Sequence, residues 1–67
     1  MRTEEQMTTI AKRAMKDLHQ DISRKWGFPP RVIAGATVGL GIELLLEMGY
    51  TVEQIVNIAR EFAGEVP

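Results

Sequence analysis

Three groups of residues in this chain have the types and spacing to do chemistry. The densest is Arg24-Lys25-Trp26-Gly27-Phe28-Pro29-Pro30-Arg31, where cations interleave with two aromatic rings. Guanidinium groups grip phosphate, and indole or phenyl rings stack on nucleobases. The segment also stands just before the expected start of a helix, where free N–H groups and the helix dipole favour anions. That chemistry suits a small phosphorylated, nucleotide-type ligand such as a cyclic dinucleotide, with Arg24, Lys25, Trp26, Phe28 and Arg31 as the binding set. The same residues have a plainer use. Cations near a helix C-terminus complement its dipole, and Trp26 and Phe28 can cap a core.

The second group is Glu43 and Glu47, four apart and hence on one side of a helix. Paired carboxylates can act as acid and base or hold a metal. A helical di-metal site would also want Glu-x-x-His on neighbouring helices, and no such motif exists. The third is His19, between Leu18 and Gln20, with no Ser or Cys nucleophile set beside it. The chain has no Cys and this one His, so neither a disulfide nor a zinc quartet is expected. The Gly35–Gly41 run lacks the Lys and hydroxyl of a phosphate-binding loop. No catalytic residue, metal or cofactor is expected, and the chain reads as a non-enzyme.

Punctuation at Trp26–Pro30 and Met48–Thr51 cuts the chain into three segments, and each reads as helix. The first spans about 3–26. Met7, Ile10, Ala11, Ala14, Met15, Leu18 and Ile22 recur at intervals of three and four, Thr3 and Gln6 form a capping box, and Gly27 is the stop. Arg13 with Asp17, and Asp21 with Lys25, are expected as i,i+4 pairs on the wet side. The second helix, about 30–48, opens on Pro30 and ends at Gly49. The third, about 51–64, is capped by Thr51 and Gln54 and closed by Gly64 and Pro67, with Val52, Ile55, Val56, Ala59, Phe62 and Ala63 inward. No segment alternates with period two, so the class is all-α: a long first helix, then a helical hairpin, in one domain over 1–67. The expected core is Ile10, Ala14, Leu18, Ile22, Ile33, Ile42, Leu45, Ile55, Ala59 and Phe62.

The second helix is apolar on nearly every side, and a helix apolar all round is buried all round. Two partner helices in so short a chain cannot cover it, but a second copy can. Leaving such side chains in water forfeits about 1.5–3 kcal/mol each. Gly35, Gly39 and Gly41 each cost the helix about 0.5–1 kcal/mol relative to Ala. The four-residue step from Gly35 to Gly39 is a spacing that lets helix backbones approach closely. A bulky side chain of the first helix, Trp26 or Met15, is one filler for that notch. A homo-oligomer with Gly35, Val38, Gly39, Leu40 and Ile42 at its interface is the other expectation.

Composition narrows the classes further. Eight Lys and Arg against nine Asp and Glu leave a net charge of -1, which disfavours a nucleic-acid partner. The acids Glu4 and Glu5 stand where an export signal needs cations. The apolar run from Val32 to Met48 is broken by Glu43 and Glu47, which argues against a membrane span and for a cytoplasmic protein.

The stretch Leu45-Leu46-Glu47-Met48-Gly49-Tyr50-Thr51-Val52-Glu53-Gln54-Ile55 is similar to the Met-Gly-Tyr loop of ubiquitin-associated domains. It also resembles the Gly-aromatic-Thr/Ser turn of MerR-type regulators. What the two likenesses share is a well-capped helix–Gly–helix turn, and neither carries a function here. The second family reads DNA with a basic helix, whereas Thr51 to Ala63 holds one cation and two acids.

The leading expectation is therefore a non-catalytic oligomeric binding protein that occupies or sequesters a partner, as adaptors or inhibitors of the viral or mobile-element type do. The alternatives are a nucleotide-type binder at the first junction and, disfavoured by charge, a DNA-binding regulator.

Overall fold

A computed structural model describes residues 1–64 of the chain as three α-helices. They are α1 (Glu4–Trp26), α2 (Pro30–Glu47) and α3 (Val52–Ala63). There is no strand among the described residues, so the all-α class holds. Each helix matches its expected range to within a residue, because its ends are set by local chemistry. Pro67, read as part of the third stop, lies outside the described residues.

The caps account for those ends. At Thr3 and at Thr51 the hydroxyl accepts the N–H three residues on, and the Gln there reaches back to the Thr N–H at 2.9 Å in both cases. Two otherwise orphaned donors are thereby satisfied at each start. Gly27 and Gly64 close α1 and α3 in the left-handed conformation, at φ 69° and 84°. After α2 the Tyr50 N–H reaches the Leu45 carbonyl at 3.1 Å and the Gly49 N–H the Leu46 carbonyl at 3.0 Å, with Gly49 at φ 94°. That crossed pair is a Schellman motif, which needs a residue free to adopt positive φ. The glycines inside α2 take no such conformation, and the helix runs through them unbroken.

The chain divides into two compact units, Met1–Ala36 and a second from Thr37 onward, with the division falling inside α2. In the first, Ile33 is buried and Ile22 half-buried. In the second, Ile55 is buried, and Leu45 and Ile58 are half-buried. The rest of the expected core is corrected: Ile10, Ala14, Leu18, Ile42, Ala59 and Phe62 are exposed. Val52 and Val56, expected inward on α3, are exposed too, and Ile58 takes a covered place that the periodicity had not assigned it. The spacing of apolar residues was read correctly as helical, but a single chain supplies too few neighbours to cover the faces it defines.

Among the described residues, eighteen large hydrophobic side chains are exposed and two, Ile33 and Ile55, are buried. The accessible surface is 6098 Å². No helix among the described residues is long and apolar enough to cross a membrane.

Candidate functional site

The Arg24–Arg31 segment lies wholly within the first unit, where α1 hands over to α2. Gly27 makes the break, its N–H held by the Ser23 carbonyl at 2.9 Å. The Ser23 hydroxyl donates to the Phe28 carbonyl at 3.3 Å, tying the connection back to α1. With Gly27 left-handed between them, Trp26 and Phe28 come together as a stacked pair, centroids 6.2 Å apart and planes 24° from parallel. The Lys25 ammonium stands 6.0 Å from the centre of the Trp26 ring, at the outer edge of a cation–π contact.

Two expectations change here. Trp26 and Phe28 do not cap a core; they are 62% and 47% exposed and stack on one another. Asp21 pairs with Arg24, three residues on, at 3.4 Å, and not with Lys25. Both partners of that pair are largely in water, so it contributes little.

Of the five residues read as a binding set, the structure brings together Lys25, Trp26 and Phe28. Arg24 turns to Asp21. Arg31, in the first turn of α2, is exposed, and among the described residues no ion pair or ring contact joins it to the others. The α2 N-terminus also offers fewer donors than expected. Pro30 has no N–H, and the N–H groups of Val32 and Ile33 both donate to the Pro29 carbonyl, at 3.0 and 3.3 Å. The geometry is an exposed aromatic face with one cation beside it. It can stack a flat ring and attract an anion, but the helix terminus adds little grip.

Glu43 and Glu47 are exposed and His19 is half-buried, and no group of three or more potential metal ligands forms among the described residues. A shallow hollow of about 560 Å³ lies at the start of α1, lined by Arg2, Thr3, Glu5, Gln6, Thr9 and Ile10. Of its polar side chains, Thr3 and Gln6 are engaged in the capping box, and the Thr9 hydroxyl donates to the Glu5 carbonyl at 3.1 Å.

The five residues expected at a self-interface, Gly35, Val38, Gly39, Leu40 and Ile42, are all exposed. A Cβ built on Gly35, Gly39 or Gly41 meets nothing within 4 Å, so neither Trp26 nor Met15 fills the notch. Val32 and Leu46 are exposed as well, at 54% and 48%. Their spacing from Gly35, Gly39 and Ile42 by three, four and seven was the signal that places them on the same side.

No protein-family model, curated protein or solved structure matches this chain.

Proposed function

We propose that this chain is a non-catalytic helical binding protein that works as a homo-oligomer and acts by occupying a macromolecular partner. The observation that carries the reading is the large apolar surface, with eighteen exposed large hydrophobic side chains against two buried among the described residues. Such surface marks an association site or an aggregation liability, and a mixed, near-neutral charge does little to keep copies apart. In this reading α2 and α3 form the hairpin around which copies assemble. Light scattering behind size exclusion tests the oligomer. Native mass spectrometry of protein purified from its own host tests the partner. A monomer carrying nothing would reject the proposal.

A second reading is supported by the Trp26–Phe28 stack. In it the junction binds an anionic nucleotide-type ligand, with one ring stacking on the base and Lys25, Arg24 and Arg31 supplying charge. Titration calorimetry against mono- and cyclic nucleotides tests it. The reading fails if none binds below millimolar, or if the Arg24→Ala/Arg31→Ala variant binds as well as the parent.

A further inference from the structure

Burial along α2 follows a row. Ile33 is buried and Thr37, Gly41 and Leu45 are half-buried, each four residues after the last, while the rest of the helix is exposed. Two positions away, ~200° round a helix of 3.6 residues per turn, runs a second four-spaced row. It reads Arg31, Gly35, Gly39, Glu43, Glu47, and all of it is exposed. Both rows follow from the repeat of this one continuous helix. The uncovered row is positive at its first end, bare in the middle and negative at its second.

We propose that this row seats a second copy of the chain, α2 crossing α2 in antiparallel sense about a two-fold axis level with position 37. The proposal rests on the homo-oligomer reading above and names its surface. Charge complementarity selects the occupant and its direction. Reversal about position 37 sets Arg31 opposite Glu43 of the partner subunit, and the symmetry makes that pair twice. It also sets Gly35 opposite Gly39 of the partner subunit and Val32 opposite Ile42 of the partner subunit. A parallel crossing would set Arg31 against its own copy. Within the chain these charges are unspent: among the described residues the ion pair is Arg24–Asp21, and none involves Arg31 or Glu43.

The space along the row agrees. Nothing lies within 4 Å of a Cβ on Gly35 or Gly39, so these glycines accommodate no neighbour inside the chain. At a crossing, bare backbone lets the four-spaced ridges of two helices interdigitate closely, at about −50°.

Sedimentation velocity of the full chain from micromolar to millimolar concentration is the test. Arg31→Glu and Glu43→Arg each set like charges face to face twice, and each should weaken association by about tenfold. An equimolar mixture of the two variants should recover the parent's affinity, because every facing pair is then again of opposite sign. Gly39→Leu should abolish association while circular dichroism shows the helix intact, since the single chain has room for the side chain. Three results would overturn the proposal. A parent chain that stays monomeric removes the oligomer reading and this pairing together. An oligomer indifferent to both charge reversals and to Gly39→Leu removes the pairing and leaves the oligomer standing. Single variants that weaken association without recovering on mixing rule out the antiparallel sense.

Discussion

Trp26 is the chain's one tryptophan, so its surroundings can be read by fluorescence without further labelling. At 62% exposure beside Phe28, it should emit like a solvated indole and be quenched readily by iodide. Trp26→Ala should cost about 1–2 kcal/mol in chemical denaturation, the worth of a ring pair plus a surface cation–π contact. A core tryptophan would cost about 3–5 kcal/mol. The sequence showed which residues gather at this junction, because order along a short connection constrains position. It did not show that Arg24 would turn back to Asp21, or that two prolines and the Pro29 carbonyl would use up most of the helix start. Those outcomes depend on rotamers and on which N–H groups find an acceptor, and residue types alone do not specify either.

Helix ends were legible and helix faces were not. Thr3 with Gln6, Thr51 with Gln54, and Gly27, Gly49 and Gly64 all act within one turn of their own position, so sequence suffices to place them. Which face of α2 is covered could not be read, because apolar residues surround the helix and the pattern carries no phase. On α3 Ile55 was read inward and is buried, but Val52 and Val56, read with it, are exposed, and Ile58 takes a covered place instead. Two substitutions separate the two uses of glycine. Gly49→Ala, at φ 94°, should destabilise the fold by about 1–2 kcal/mol through left-handed strain. Gly41→Ala, in a helical conformation with open space around its Cβ, should stabilise it by about 0.5–1 kcal/mol. Thermal or urea unfolding of both variants beside the parent gives the comparison.

For the molecule as a whole, two buried hydrophobic residues among the described ones are few for a free-standing fold, and assembly should supply the remainder. The melting temperature is therefore expected to rise with protein concentration, as mass action requires when the folded form self-associates. Differential scanning calorimetry over a hundredfold concentration range measures this directly, and a melting temperature that stays constant would count against an obligate oligomer.

The division between the two units falls inside α2 and not in a connecting loop. A cut at this division would therefore sever α2. A cut between Ala36 and Thr37 leaves each fragment with a stub of α2 shorter than the ~12–15 residues at which an isolated helix becomes even marginal in water. Expressed singly, each fragment is expected to lose the ellipticity of its part of α2. By the same continuity, an insertion after Ala36 interrupts α2 and should lower the ellipticity of the full chain.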